Sequence, residues 1–226
     1  MRFQEFTLRS TTVAVIGFTL IFYSIPTTTQ SATLFSTLGA GDSFDSSLRG
    51  IGEIPMLGNY WTAMPFTVSQ TANVDSVRVP VARLISDTAS QLRLQIFTES
   101  PAGTPDISID SMLIDDVLTA PAQIRTAISS SHPELIKDRN YWLVLSSEGQ
   151  LGWSLANAAP AGYQYSNDEG ATWNQSSSHQ ILGRQSAFSI IGTPVVPEPS
   201  ALLMGLSALH FASIMRIRTS IHNHRL

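Results

Sequence analysis

The chain has 226 residues, of which 43% are hydrophobic and 13% are charged, and its formal net charge is −4. It contains no cysteine, which excludes disulfides, zinc–thiolate sites, iron–sulfur clusters and cysteine nucleophiles. The region between its two apolar ends, residues 32–194, carries eight basic and fifteen acidic residues, and the arginines are scattered. We therefore expect no nucleic-acid partner, because an acidic surface repels phosphates.

Residues 1–31 have the pattern of a cleaved signal peptide. Arg2 and Arg9 form a basic start, an apolar run covers residues 13–25, and small residues before Ala32 suit signal peptidase. A retained membrane helix is the alternative, because the apolar stretch can be extended toward the N-terminus. Cleavage is favoured because the central run is shorter than the ~20 residues that a membrane span needs.

The sequence Gly-Asp-Ser-Phe at residues 41–44 invites comparison with GDS-type serine esterases. Those enzymes need a histidine, usually three residues after an aspartate, to take the proton of the serine. Positions 129 and 176, three residues before His132 and His179, are both serines. A turn leading into the first core strand is therefore favoured, and ester hydrolysis by Ser43 is the hypothesis that we rank last.

Alternating apolar and polar residues dominate residues 32–194 and predict half-buried β-strands. The apolar sets are Val77, Val79 and Val81; Leu92, Leu94 and Ile96; Ile124 and Ile128; Tyr141, Leu143 and Leu145; and Phe188 and Ile190. Turn-rich stretches separate them, and no long amphipathic helix is convincing. We predict one all-β domain, an antiparallel β-sandwich of jelly-roll type, with an up-and-down barrel as the alternative.

Several aspartates are candidate oxygen ligands for calcium, but their spacing matches no regular calcium loop. Solvated surface carboxylates explain them adequately, and we predict no metal site and no cofactor. The residues concerned are Asp87, Asp106, Asp110, Asp115, Asp116 and Asp168.

Residues 166–173, Ser-Asn-Asp-Glu-Gly-Ala-Thr-Trp, match the Asp-box pattern. We expect Asp168 to accept hydrogen bonds from turn amides, Gly170 to supply a positive φ, and Trp173 to pack under the turn. Sialidases and many carbohydrate-active proteins repeat this box around a propeller, for which this chain is too short. A structural hairpin is favoured over a glycan contact.

The aromatic residues raise a second carbohydrate hypothesis, because exposed rings stack on the apolar faces of sugars. Trp142 lies among apolar neighbours and is expected in the core. The better candidates for glycan contact fall near predicted loops. They are Trp153, Tyr163, Tyr165 and Trp173.

Residues 195–226 combine three features in a fixed order. An extended motif comes first, because prolines lack an amide hydrogen and disfavour helix in the preceding residue. Its residues are Val196, Pro197, Glu198, Pro199 and Ser200. An apolar run over residues 201–215 would make a helix of about 22 Å, shorter than the ~30 Å bilayer core. Arg216 and Arg218 begin a basic tail, residues 216–226, of the kind that stays on the cytoplasmic side. A buried amphipathic helix is the disfavoured alternative, because the run has almost no polar face.

This order closely resembles the PEP-CTERM sorting signal of exopolysaccharide-producing Gram-negative bacteria. The resemblance implies a precursor anchored in the inner membrane by a transmembrane helix, and processing by exosortase, a membrane protease-transpeptidase. This chain departs from the family pattern in two places, at His210 within the apolar run and at residues 219–226 beyond the arginines.

The region before the tail is similar to the choice-anchor R family of extracellular domains. The similarity rests, in this order, on "LFSTLGAGDSFDSS", "AMPFTVSQTANVDSVRVPVARL", "LRLQIFTESPAGTPDISI", "NYWLVLSSEGQLGWSLAN" and "YQYSNDEGATW". It implies a secreted β-sandwich upstream of a sorting signal and provides no catalytic residues.

These features predict a non-catalytic protein that is exported across the inner membrane. We expect signal peptidase and exosortase as partners, and the cell surface or the exopolysaccharide matrix of a biofilm as the destination. The alternative is a carbohydrate-binding module of that matrix, and the last-ranked hypothesis is a GDS-type esterase.

Overall fold

The computed structural model describes residues 30–54, 58–84, 91–115, 117, 121–160, 162–175 and 184–195. Nearly all of the predicted signal peptide, and the predicted sorting signal from Val196 onward, lie outside these residues. The strands are β1 (Ala32–Ser36), β2 (Asp45–Ile54), β3 (Gly58–Thr67), β4 (Ala72–Arg83), β5 (Leu92–Glu99), β6 (Pro105–Ile114), β7 (Gln123–Ile128), β8 (Glu134–Leu135), β9 (Asn140–Ser147), β10 (Leu151–Pro160), β11 (Gln164–Ser166), β12 (Asn174–Gln175), β13 (Arg184–Ser186) and β14 (Ser189–Pro194). The described ranges contain no α-helix, only a 3-10 turn at Ala40–Asp42.

Every strand pairing is antiparallel, which confirms the predicted all-β antiparallel class. The strands follow the order β1-β14-β4-β10-β2-β3-β9-β5-β6 in one curled sheet. Five strands lie off this path: β7 and β8 pair with β4, β13 pairs with β10, and β11 pairs with both β3 and β12. Within the described part of the chain, no helix is long and apolar enough to cross a membrane.

One hydrophobic core lies inside the curl, and alternation along the strands explains which residues fill it. Val77 and Val79 of β4 are fully buried in the same cluster as Leu94 and Ile96 of β5. Successive side chains of a strand point to opposite faces, so every second residue enters the core. The predicted strand sets of β4, β5 and β9 are confirmed, whereas of the last set Ile190 lies in β14 and Phe188 lies just before it.

Strand β7 is an exception, because the predicted face of Ile124 and Ile128 is not the buried one. Ile128 is 68% exposed, whereas Ala127 is buried. Ala127 pairs with Val77 across the ladder. Paired residues of antiparallel strands point to the same face, so the register with β4 turns Ala127 inward and Ile128 outward.

Strand β9 is buried on both faces. Tyr141, Leu143 and Leu145 belong to the main core. Trp142, Val144 and Ala63 form a second cluster, which we call the outer cluster. Three partly buried aromatic residues pack on the outer cluster, namely Trp61, Phe97 and Trp173. The sheet therefore carries a small apolar patch on its outer face, next to the β11–β12 hairpin.

The two ends of the described domain lie side by side. Ala32 at the start of β1 pairs with Gly192 near the end of β14. The Asp75 carboxylate joins the same ends, because its Oδ2 accepts hydrogen bonds from Ser31 Oγ at 2.6 Å and Thr193 Oγ1 at 2.9 Å. The segments before β1 and after β14 thus leave the domain at one place.

Candidate functional site

The Asp-box residues form a closed clip between β11 and β12. Asp168 Oδ1 accepts from Ser166 Oγ at 2.7 Å and from the Thr172 amide at 2.9 Å, and its Oδ2 accepts from Thr172 Oγ1 at 2.6 Å. Ser166 Oγ in turn accepts from the Gly170 amide at 2.8 Å. The hydrogen bonds that Asp168 accepts, first from the Thr172 hydroxyl, then from Ser166 and then from the Thr172 amide, lower the pKa of the Asp168 carboxyl to about 2. The Asp168 carboxylate thus accepts its hydrogen bonds from residues of the same turn.

The clip rests on two indole rings. Gly170 has a φ of 87°, and a Cβ placed on it would lie 3.1 Å from Trp61 Cζ3 and 3.6 Å from Trp173 Cζ2. Glycine is therefore required both for the backbone angle and for the close approach of Trp61. The predicted structural hairpin is confirmed, including the packing of Trp173. Strand β3 supplies Trp61, which lies outside the Asp-box pattern of residues 166–173.

The prediction of glycan contact is wrong for Trp153 and Tyr163. Trp153 is completely buried, and its Nε1 donates to the Ala187 carbonyl at 2.8 Å. Tyr163 is 4% exposed, and its ring lies 3.7 Å from the Arg49 guanidinium carbon. A sugar needs an exposed ring face, and neither residue offers one. Nearness to a loop in the sequence does not determine the direction of a side chain.

Of the other two candidates, Tyr165 lies beside the buried Tyr163, with ring centroids 6.5 Å apart. Tyr165 is partly buried and stacks on Tyr60 at a centroid distance of 5.2 Å. Trp173 is partly buried against the outer cluster. The four predicted residues therefore do not form one exposed platform.

Arg49 is a buried cation of structural character. Its Nη2 donates to the Arg184 carbonyl at 2.6 Å and its Nη1 to Ser186 Oγ at 3.2 Å. Burial is the main reason that its pKa falls to about 10. Burial also raises the pKa of the nearby Tyr60 hydroxyl, with a further contribution from Tyr163. The guanidinium stays charged at neutral pH and holds β2, β13 and the aromatic rings together.

The residues of the esterase hypothesis have separate partners. Ser43 Oγ accepts from Asn157 Nδ2 at 3.2 Å. Asp42 forms an ion pair with Arg78, and this bond lowers the pKa of the Asp42 carboxyl. His132 Nδ1 lies 2.9 Å from the Val74 carbonyl oxygen. His179 lies outside the described residues.

The aspartates considered for calcium are dispersed. Asp110 Oδ1 accepts from Ser131 Oγ at 2.7 Å, and Asp115 Oδ1 accepts from Gln91 Nε2 at 2.8 Å. Asp106 is exposed on β6, and Asp87 and Asp116 lie outside the described part of the chain. Among the side chains that the structure describes, no three His, Asp or Glu residues come together in a metal-binding arrangement.

A polar recess opens beside the Asp-box clip, and we call it the polar groove. Strand β3 contributes two lining residues, and β5 together with the residue before it contributes two more. The β9–β10 and β11–β12 turns contribute one carboxylate each. The main lining residues are Asn59, Trp61, Gln91, Arg93, Glu148 and Glu169, around a volume of about 170 Å³.

A second recess of about 330 Å³ lies next to the polar groove. Asn59, Ser147 and Glu148 line both recesses, and Glu53 adds a further carboxylate. The residues of the groove come from four separate segments, so no local motif marks it in the sequence. The ladder assembles part of it directly, because Arg93 pairs with Ser146 across β5 and β9.

Comparison with known proteins adds no assignment. No protein-family model matches the chain, and no curated protein is significantly similar to it. Functional interpretation therefore depends on the residues themselves.

Proposed function

We propose that this chain is the precursor of an exported, non-catalytic protein that is sorted to the cell surface or the exopolysaccharide matrix. The observation that carries the proposal is the order of the C-terminal features, namely the Pro197-Glu198-Pro199 motif, the apolar run over residues 201–215, and the arginines at 216 and 218. Their resemblance to PEP-CTERM signals supports exosortase as the processing enzyme. The N-terminal pattern supports signal peptidase as a second partner.

The proposed mature part is a β-sandwich of jelly-roll type, flanked in the precursor by a signal helix and a transmembrane helix. The core, to which both halves of the curled sheet contribute, supports the sandwich. The similarity to choice-anchor R domains supports an extracellular location. The absence of cysteine is compatible with such a location, because a domain of this length can be stable by packing alone.

The geometry of the domain ends is compatible with two processing steps. β1 and β14 are neighbours, so both flanking segments leave the domain at one place. The last described hydrogen bond of the chain runs from the Val195 amide to the Thr71 carbonyl at 3.0 Å. The sorting motif begins at the next residue. An enzyme that cleaves there would work close to the folded surface.

The full chain, produced in a bacterium that has an active exosortase, tests the proposal by mass spectrometry of the mature protein. We expect a start near Ala32 and loss of the residues that follow the motif at 196–200. Replacing Pro197, Glu198 and Pro199 together by alanine should leave the C-terminus intact, whereas Glu134→Ala on the exposed surface should not. A wild-type protein that keeps Leu226 in such cells contradicts the proposal.

Carbohydrate binding is the second candidate function. The observation that favours it is the polar groove, whose side chains can hydrogen-bond to sugar hydroxyls. The buried Trp153 and Tyr163 do not contribute, because they offer no ring face to a sugar. Ester hydrolysis at Ser43 has no comparable support, because the contacts described for Ser43 and His132 lead to different partners.

A further inference from the structure

We propose that the polar groove is a binding site for a neutral or amino-substituted saccharide. The proposal concerns the surface of the domain and does not depend on how the termini are processed.

The groove brings hydrogen-bond acceptors and donors together around one small space. Glu148 and Glu169 provide carboxylate oxygens, Asn59 and Gln91 provide amides, and Arg93 provides a guanidinium. A sugar hydroxyl both donates and accepts, so neighbouring hydroxyls are best satisfied by such a mixed set. Charged partners strengthen each of these bonds.

Part of the set has capacity left for a ligand. The Asn59 amide nitrogen lies 3.4 Å from Glu169 Oε1, which is a long and therefore weak hydrogen bond. The Gln91 amide nitrogen donates to Asp115 Oδ1, so the Gln91 carbonyl oxygen can accept a hydrogen bond from a ligand. Among the described residues, no carboxylate lies within ion-pair distance of Arg93.

Trp61 gives the groove its apolar wall. The ring is partly exposed, and the contact with the Asp-box clip at Gly170 holds it in place. An indole held in one orientation can meet the C–H face of a sugar ring with little loss of side-chain entropy. The Asp-box clip thus orients the Trp61 ring that forms the apolar wall of the groove.

The charge of the groove selects among saccharides. Glu148 and Glu169 outnumber Arg93, and Glu53 adds negative charge in the adjoining recess. A uronate or sulfated chain would bring like charges together, which opposes binding. A neutral chain has no such penalty, and an amino sugar gains attraction. A lysine-rich peptide carries the same ammonium groups as an amino sugar, so charge does not separate the two. The peptide lacks the hydroxyls and the apolar ring face that the mixed hydrogen-bonding set and Trp61 would contact.

The shape indicates a chain rather than a compact ligand. The first recess, at about 170 Å³, is smaller than the ~300 Å³ at which drug-sized pockets begin. The second recess shares three lining residues with it, so the two recesses are adjacent. Successive sugar units of one chain can occupy the two adjacent recesses.

The backbone of Glu169 adds independent support. Its φ is 59°, in the left-handed region where glycine is favoured and a long side chain is strained. The turn alone would therefore be more stable with glycine at this position. Glu169 lines the groove and contacts Asn59, so the strained residue is also one that would meet the ligand.

Isothermal titration calorimetry on the full chain in mild detergent tests the proposal. The probes are cellohexaose as the neutral chain, chitosan hexamer as the amino-substituted chain, hexagalacturonate as the acidic chain, and a lysine hexapeptide. We expect binding of cellohexaose, of chitosan hexamer or of both, and no detectable binding of the other two. The proposal is overturned if neither expected ligand binds at a ligand concentration of about 10 mM, which exceeds a dissociation constant of about 1 mM. Stronger binding of hexagalacturonate or of the peptide overturns it as well.

Two variants separate a binding role from a structural one. Glu148→Gln should weaken binding by about tenfold or more, because it removes a charged acceptor. Glu169→Gly should raise the melting temperature and still weaken binding. Glu134→Gln, outside the groove, is the matched control and should change neither. If Glu169→Gly raises stability while affinity for the saccharide stays constant, and Glu148→Gln also binds normally, the ligand is not in the groove and the proposal fails.

Discussion

Replacing Trp153 by phenylalanine is the sharpest test of the core. Trp153 is completely buried against Phe188, with ring centroids 5.9 Å apart. The smaller ring removes two buried carbons and the indole nitrogen. At ~0.8 kcal/mol for each carbon group, the lost carbon burial amounts to about 2 kcal/mol. It also takes the indole donor from the Ala187 carbonyl, which costs about 1–3 kcal/mol in a buried setting. We expect the free energy of unfolding to fall by about 3–5 kcal/mol.

The measurement is pulse proteolysis of the full chain in a urea series, with mild detergent present. Trp173→Phe is the matched control, because Trp173 is only partly buried in the outer cluster, and we expect it to lose about 1 kcal/mol. The corresponding drop in melting temperature for Trp153→Phe is roughly 10 °C. If Trp153→Phe loses no more stability than Trp173→Phe, the assignment of Trp153 to the core is wrong.

Three further predictions concern the hairpin and the buried cation. Because the pKa of Asp168 falls from 3.8 to about 2 on folding, the carboxylate stabilises the clip above pH 4, and this contribution disappears as the pH falls toward 2. Asp168→Ala should therefore speed hydrogen exchange of the turn amides at neutral pH, and equal exchange in both proteins would contradict the clip. Gly170→Ala should be more destabilising than Gly103→Ala, because both glycines have positive φ but only Gly170 faces Trp61. Equal urea midpoints for the two variants would show that the contact with the Trp61 ring does not contribute to stability. Arg49→Lys should lower the free energy of unfolding by about 2 kcal/mol, because an ammonium cannot reproduce the guanidinium hydrogen bonds, and an unchanged midpoint in urea unfolding would contradict this.

Part of the candidate site is readable from local sequence. The Asp-box clip closes within eight consecutive residues, 166–173, so the chemistry of Asp168, Gly170 and Thr172 is enough to predict a hairpin. The polar groove is different, because β3, β5 and two turns each contribute a part. Its residues are far apart in the chain, and only the pairing of the strands brings them together.

The sequence by itself determined the all-β class, because period-two alternation reports that one face of each strand is apolar. It did not determine which residues of β7 or β10 turn inward. Ile128 is exposed and Trp153 is buried because the ladder partners of each strand set its face, and those partners come from distant parts of the chain. Alternation is a local property and register is a long-range one, so the strands were predictable while the core of β7, the burial of Trp153 and the polar groove were decided by the tertiary structure.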